Sequence, residues 1–318
     1  MPLTTYEEVR PWARAIKDQV LARREPRWHA ARGYGAFKND PTLTPIELAM
    51  LVSWIDGGLP FSTSSPRVPS GVPGRRADNL VATPPVASAI STPPVASGIT
   101  TPPVASAITT PPVASAFRRK IGVPALRIPA GAAEATGRVR GRWISGWSFE
   151  PGDPLITSAT FSLADETVVG NWVAGDPAVT LPSNSGIRIS SPLRVRIERR
   201  APADFEQPYK PRASVLRLAF RAKAPLRRVW TEQVSCNAPR TGRAAELLAV
   251  RPMLDGGGAA RVWLERAGAP KTVVGWFRDF DARFPLTYWL ARPADLPVDA
   301  RLHADASCNL QLTVISLR

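Results

Sequence analysis

Histidine, cysteine and methionine are scarce in this sequence, whose 318 residues include two His, two Cys and three Met. Cys236 and Cys308 lie far apart and neither begins a C-x-x-C pair, which excludes Cys-based zinc motifs and C-x-x-C-H haem attachment. His29 and His303 are isolated, so they cannot supply a three-His metal centre. A Ser-His-Asp triad would have to use one of the two. The familiar metal and nucleophile chemistries are therefore largely excluded.

Targeting signals and membrane spans are also missing from the sequence as written. Residues 1–5 lack the basic and apolar regions of a signal peptide. No run of about 18 apolar residues occurs, so we expect no transmembrane segment. Read from Met1, the chain would stay in the cytoplasm.

Positive charge is in excess, with 41 Lys and Arg against 26 Asp and Glu. Residues 118–318 hold most of the excess, with 30 basic and 18 acidic residues. Arg alternates with apolar residues in stretches such as 193–197 and 216–221, and alternation places the two kinds on opposite faces of a strand. This pattern favours a solvated basic sheet face over a nucleic-acid groove, so we expect no nucleic-acid partner.

Residues 1–60 have the spacing of a small helical unit. Two overlapping capping boxes lie at its start, within residues 4–8. Pro11 disfavours a continuous helix there, so we expect a short turn and then a main helix that opens at Pro11. A second helix is predicted from Thr44, as its N-cap, to the glycine pair at 57–58.

Residues 61–130 form a linker rich in Pro, Thr and Ser. Within it, a nine-residue unit that begins Thr-Pro-Pro-Val-Ala-Ser occurs four times over residues 83–117. A Pro-Pro pair in every unit disfavours helix and central strand, which predicts polyproline II structure or disorder. The near identity of the copies indicates a duplicated linker rather than a folded solenoid.

Residues 131–318 contain many short alternating apolar stretches separated by Gly, Pro, Asn and Asp. The predicted strands cover residues 138–144, 156–163, 168–173, 193–198, 215–221, 227–234, 246–251, 260–265, 272–277, 287–290 and 310–317, with a further short strand around His303. Many short strands at this spacing predict an antiparallel β-sandwich or jelly roll. The predicted fold class is therefore mainly β, with a small helical unit and a disordered linker before the sandwich.

Three local motifs in the sandwich region have a structural and a functional interpretation. Charges at 279–283 are interleaved with Phe277, Phe280 and Phe284, which indicates a strand-edge turn with buried rings more than a sugar or peptide site. The glycine run after Asp255 lacks the following helix of a phosphate loop, so we predict a hairpin turn. His303 has no Gly-x-Ser-x-Gly elbow beside it, so we interpret it as a strand residue facing solvent.

Three motifs in the helical unit carry a family resemblance. They are Leu-Thr-Thr-Tyr-Glu-Glu at 3–8, Trp-His-Ala at 28–30 and Trp-Ile-Asp-Gly-Gly at 54–58. Together they resemble the second half of a class I c-type cytochrome domain. The resemblance implies a haem-attachment motif upstream, absent from the sequence given, and an axial Met where this chain has Glu25. A carboxylate is a poor ligand for such a haem, so we expect the axial position to be vacant, and we do not expect His29 to replace it.

Other motifs carry a second resemblance, for residues 138–318. They are Phe-Glu-Pro-Gly-Asp-Pro at 149–154, Trp-Val-Ala-Gly-Asp-Pro at 172–177 and Cys-Asn-Leu at 308–310. They resemble the copper type II, ascorbate-dependent monooxygenases, the family of peptidylglycine and dopamine hydroxylating enzymes. The resemblance implies two jelly-roll domains, one with a copper held by three His and one with a copper held by two His and a Met.

The expected copper-ligand positions of this chain do not hold those ligands. By the resemblance they are Thr157, Ser158, Glu198, Met253, Asp255 and Ser307. Two His in the whole chain cannot fill five His positions, so we expect no bound copper. The family also has Cys at the positions of Cys236 and Cys308, which would form a disulfide in an exported protein and remain buried thiols in a reducing cytoplasm.

The sequence therefore favours a non-catalytic binding or interaction module of an exported bacterial protein. By resemblance, the chain would be a degenerate relative of proteins that fuse a c-type cytochrome domain to a copper monooxygenase. We expect no cofactor, a protein or envelope component as partner, and a periplasmic or secreted location by resemblance. The alternative is an electron-transfer haem protein or a copper-dependent oxidoreductase, with haem c or copper, if the true N-terminus with C-x-x-C-H lies upstream. A third possibility is a surface protein that uses the repeat as a glycosylated stalk.

Overall fold

Among the residues that the structure describes, helices occur in the N-terminal part of the chain and strands from residue 125 onwards. The computed structural model describes residues 5–61, 125–138, 142–202, 210–240, 242–254 and 258–317. The repeat region, Asp255 and most of the 61–130 stretch lie outside the described residues. The predicted fold class, mainly β with helices at the N-terminal end, is confirmed. No described helix has the length and apolar character that a membrane crossing requires.

The helical segment begins at a reciprocal cap. Its elements are α1 (Tyr6–Val9), a 3-10 turn (Arg10–Trp12), α2 (Ala13–Leu21) and α3 (Pro45–Asp56). The Thr5 hydroxyl accepts the Glu8 N–H at 3.3 Å, and the Glu8 carboxylate accepts the Thr5 N–H at 3.0 Å. Thr44 makes the same kind of cap at α3, so the predicted caps at Thr5 and Thr44 are confirmed, whereas Thr4 lies outside the described residues. The main helix opens at Ala13 rather than Pro11, because the 3-10 turn contains the proline.

The strands form two half-sandwiches that follow one another along the chain. The first contains β1 (Ala125–Ile128), β2 (Glu134–Gly137), β3 (Arg142–Glu150), β4 (Ile156–Ser162), β5 (Val168–Val173), β6 (Val179–Thr180), β7 (Ser185–Ile189), β8 (Leu193–Arg199) and β9 (Ser214–Arg221). The second contains β10 (Arg227–Ser235), β11 (Ala245–Met253), β12 (Ala260–Glu265), β13 (Thr272–Phe277), β14 (Tyr288–Leu296), β15 (Arg301–Ala304) and β16 (Asn309–Ser316). Strand β1 lies inside the 61–130 stretch that the sequence assigns to the linker, because it pairs with β9.

The first half-sandwich encloses a core between two antiparallel sheets. One sheet has the order β1-β9-β3-β7 and the other the order β2-β8-β4-β5. Their inner faces bury Ile144, Phe161 and Leu216 among other apolar side chains. In β8 the apolar residues are buried and Arg196 is exposed, as the alternation predicts.

The second half-sandwich continues the larger sheet of the first. Its sheets have the orders β10-β16-β11-β14 and β13-β12-β15. The parallel pairing of β10 with β7, where Arg227 lies opposite Ser185, joins the two halves. Strand β16 is buried on both faces, since Leu312 belongs to the second core and Ile315 to the first. The central sheet therefore has protein on both sides.

Residues 29–39, which we call the strap, pair with both sheets of the second half-sandwich. Ala30 bridges to Phe277 at the end of β13, and Phe37 bridges to Leu290 in β14. Unpaired backbone groups at sheet edges need partners. The strap supplies them, and it ties the helical segment and the described part of the sandwich into one compact unit.

Aromatic rings and one glycine fasten the strap to the core. Trp28 and Phe37 pack on the buried Tyr288, with ring centroids 4.6 Å and 5.3 Å from its own. Gly35 turns the strap with φ at +84°, and a Cβ at this position would lie 2.3 Å from the Val274 carbonyl oxygen. Only glycine fits both the conformation and the space.

Candidate functional site

Three of the expected copper-ligand positions lie together in the first half-sandwich. Thr157 and Ser158 are buried in β4, and the register of the sheet places Ser158 opposite Glu198 in β8. The Thr157 hydroxyl donates to the Glu198 carbonyl at 3.3 Å. The Thr157 side chain therefore takes part in the hydrogen bonding of the sheet. Among the described residues, no three His, Cys, Asp or Glu side chains lie close enough together to hold a metal ion.

The other expected copper-ligand positions lie near one end of β16 in the second half-sandwich. Met253 at the end of β11 lies opposite Asn309, and the exposed Ser307 comes just before β16. Asp255 falls outside the described residues. Between Ser307 and Asn309, Cys308 is joined to Cys236 by a disulfide with the Cα atoms 5.3 Å apart. This end of the second half-sandwich is therefore covalently tied.

Glu25 and His29 line a single open cleft. It has a volume of about 700 Å³ and lies among the end of α2, the start of the strap, the start of α3 and the turn after β13. We call it the arginine cleft. The ionisable side chains that line it are Arg23, Arg24, Glu25, Arg27, His29, Arg32, Arg278, Asp279 and Asp281.

Two of the carboxylates in the arginine cleft already have cationic partners. Arg27 Nε lies 3.1 Å from Glu25 Oε1, and Arg27 Nη1 lies 3.3 Å from Asp281 Oδ2. Arg283 Nη2 donates to the same Asp281 oxygen at 2.8 Å. This hydrogen bonding by Arg283 is the main reason why the pKa of Asp281 lies below its ordinary value. Neither carboxylate is left to balance the other arginines.

Three arginines of the cleft have no such partner. Arg23, Arg24 and Arg278 have no carboxylate within 4 Å among the described residues. Arg278 is held from one side by Trp276, whose ring centroid lies 4.9 Å from the guanidinium carbon. Stacking of this kind fixes a guanidinium and leaves its N–H edge free to donate. The cleft therefore presents uncompensated positive charge.

His29 is a neutral residue of the cleft wall. Its ring packs edge-on against Phe280 at 5.6 Å, and its Nδ1 is buried without a hydrogen-bond partner in the described structure. Burial lowers the pKa of His29 below 6.5, and the nearby Asp281 opposes the shift without reversing it. The neutral form of the imidazole is therefore favoured at pH 7.

A second polar cluster lies where the two half-sandwiches meet. Asn171 of the first half accepts the Thr287 hydroxyl at 2.8 Å, and Arg251 donates to Gln311 at 3.3 Å. Arg251 Nε and Asn171 Nδ2 are buried and have no partner among the described groups. The space between them is about 10 Å³, enough for one water molecule. This junction does not accommodate a larger ligand.

Burial shifts the pKa values of two ionisable groups at the junction. Burial raises the pKa of Asp176 to about 6, although a bond from the Val173 N–H and the charge of Arg251 oppose the rise. Burial lowers the pKa of Arg251 to about 10, so Arg251 stays charged at pH 7. Strand alternation would place Arg251 in solvent, and the packing of one half-sandwich on the other covers it instead. The one feature of the sequence that pointed to this junction was Asp176, which lies within the motif at residues 172–177.

The other histidine and the interleaved aromatic residues are structural. His303 lies in β15 as predicted, stacked on Trp263 at 5.9 Å. It is half-buried rather than fully exposed, and its Nε2 lies 2.7 Å from Glu265 Oε2 without the alignment of a hydrogen bond. The rings of Phe277, Phe280 and Phe284 are all buried, so the interpretation of residues 279–283 as a turn beneath core aromatics is confirmed.

Comparison with known proteins gives distant likenesses. No protein-family model and no curated protein sequence matches the chain. The major capsid protein P2 from bacteriophage PM2 is similar at 10% identity and a TM-score of 0.32, over 61% of this chain and 97% of that one. A chain from the structure of Sulfolobus Turreted Icosahedral Virus is similar at 10% identity and a TM-score of 0.27, over 61% of this chain and 90% of that one. Likenesses of this degree carry no argument about function.

Proposed function

We propose that this chain is a non-catalytic binding module of an exported protein, and that it binds an anionic ligand in the arginine cleft. The charge of the cleft carries the proposal, since five arginines line it against three carboxylates. Arg23, Arg24 and Arg278 are left without a carboxylate partner among the described residues. Guanidinium groups in a concave site attract anions and bind carboxylate or phosphate oxygens with two donors.

Residue types at the other candidate positions support binding over catalysis. Thr157 is hydrogen-bonded to the backbone of its own sheet, and Met253 belongs to a regular strand pair. His29 is neutral and buried at Nδ1, and no described hydrogen bond links it to a nucleophile. The arginine cleft, by contrast, is an open concave site lined mainly by cationic side chains.

The disulfide supports the exported location. Cys236 and Cys308 are bonded, and protein disulfides persist mainly in oxidising compartments such as the periplasm. A periplasmic or secreted binding module would meet anionic components of the cell envelope or of its surroundings.

The experiment is calorimetric titration of the full chain with two anionic probes, a deca-glutamate peptide and decanoate. We expect at least one probe to bind and the double variant Arg23→Ala/Arg278→Ala to weaken it about tenfold or more, since each charge-assisted contact contributes about 1.5–3 kcal/mol. The matched control is Arg188→Ala/Arg196→Ala, which removes two exposed strand arginines outside the cleft. Failure of both probes to bind, or equal weakening in the two double variants, would overturn the proposal.

A further inference from the structure

Apolar side chains share the arginine cleft with the charged ones. Val20 at the end of α2 is buried, and Leu43 and Leu48 at the start of α3 are half-buried while lining the cleft. Helix α3 is apolar along most of its length, yet Ile55 is its one buried residue. Such a helix normally buries its apolar surface against something. One wall of the cleft therefore offers apolar surface that the described protein does not fully cover.

Arginines without a carboxylate partner among the described residues line the same cleft as these apolar side chains. Arg23 and Arg24 follow shortly after α2, and Arg278 directly follows β13. Arg32 is not available, because its Nη2 donates to the Thr42 hydroxyl at 3.1 Å and to the Leu43 carbonyl at 2.5 Å. The cleft therefore combines apolar lining residues with cationic ones.

We infer that the ligand of the arginine cleft is a small amphipathic anion, with an acidic head against Arg23, Arg24 and Arg278 and an apolar body against Val20, Leu43 and Leu48. The inference rests on the proposed function and narrows it. A hydrophilic polyanion would leave the apolar wall in water, and a neutral apolar molecule would desolvate guanidinium groups without pairing them. A volume of about 700 Å³ lies within the range of small-molecule sites.

Three probes of different chemistry separate the possibilities. They are decanoate, which has both parts, 1-decanol, which lacks the charge, and the deca-glutamate peptide, which lacks the apolar chain. We expect decanoate to bind at least tenfold more tightly than either of the others. Binding of 1-decanol as tight as that of decanoate would overturn the inference. Binding of deca-glutamate without decanoate would overturn it too, while leaving the proposed function standing. If none of the three probes binds, both the inference and the proposed function are wrong.

Two variants of α3 test the apolar wall directly. Leu48→Asn should weaken the binding of decanoate about tenfold because it removes apolar contact. Ile46→Asn should leave this binding unchanged, because Ile46 is 72% exposed and does not line the cleft. Neither substitution should alter the response to deca-glutamate. Leu43→Asn serves as the second wall variant, with circular dichroism as the check on folding. Equal decanoate affinity in the Leu48, Leu43 and Ile46 variants would contradict the inference.

Discussion

The side-chain amide of Asn39 holds the backbone of Trp289 at the edge of the second half-sandwich. Asn39 Oδ1 accepts the Trp289 N–H at 2.9 Å, and Nδ2 of the same amide donates to the Thr287 carbonyl at 2.8 Å. The neighbouring Lys38 N–H donates to the Trp289 carbonyl at 2.9 Å. One side chain of the strap thus fixes its register on β14.

Asn39→Ala should therefore destabilise the fold. The substitution removes both hydrogen bonds and leaves a backbone donor and an acceptor without partners at a half-buried place, which costs about 2–3 kcal/mol. Urea unfolding followed by tryptophan fluorescence measures the change in the free energy of unfolding.

The control for this substitution is Asn309→Ala. Asn309 is exposed and accepts one bond, from the Ser235 hydroxyl at 2.9 Å. We expect a loss below about 1 kcal/mol there. Similar losses at the two positions would show that the Asn39 contacts do not hold the strap.

Much of the fold was predictable because it is local. Each predicted strand stretch overlaps a strand of the structure, and Thr44 caps α3 as its spacing indicates. The short strands β1, β2, β6 and β7 were not predicted, because two to five residues carry little alternation. Propensity and spacing act within a few residues, and those are the features that a single sequence displays.

The candidate site was not predictable in the same way. The sequence marks Glu25 as a vacant haem axial position and gives His29 no ligand role, and it does not show that both share a cleft with Arg278, which is about 250 residues away along the chain. Such proximity follows from the pairing of the strap with β13 and β14, and no periodicity records a pairing over that separation. The burial of Arg251 depends likewise on the packing of one half-sandwich on the other.

The disulfide should contribute substantially to stability. Cys236 and Cys308 close a loop with a sequence separation of 72 residues, which corresponds to about 4 kcal/mol in the chain-entropy account. The variant Cys236→Ser/Cys308→Ser should lower the midpoint of urea unfolding accordingly. A reducing agent should shift the wild type to the midpoint of the variant and leave the variant unchanged. Unaltered stability in the reduced wild type would contradict the expected contribution.

Asp176 should make the protein less stable as the pH rises from about 4 to 6. Its pKa in the folded protein is about 6, against an ordinary value of 3.8 for aspartate, so the unfolded chain releases the proton first as the pH rises. The stabilisation is complete below pH 4 and is lost as the pH passes the folded pKa, with a total of at most about 3 kcal/mol. Asp176→Asn should flatten this part of the stability profile, measured by urea unfolding at several pH values.

The control for Asp176 is Asp165, an exposed carboxylate whose pKa is shifted in the opposite direction. Hydrogen bonds from Thr167 lower the pKa of Asp165, so its contribution to stability is present at higher pH and is lost on acidification. Asp165→Asn should therefore leave unchanged the loss of stability that Asp176 causes as the pH rises from about 4 to 6. An unchanged profile in Asp176→Asn would show that this carboxyl does not titrate in the folded protein near pH 6.

His29 should destabilise the protein on the acid side of pH 6.5. Its pKa is lowered by burial, so the unfolded chain takes up a proton before the folded protein does, and stability falls as the pH drops below 6.5. His29→Phe keeps a ring against Phe280 and should abolish this fall between pH 7 and 5.5. The variant His303→Phe measures how much of the fall in stability comes from the second histidine. Persistence of the full acid loss in His29→Phe would show that the buried imidazole is not its source.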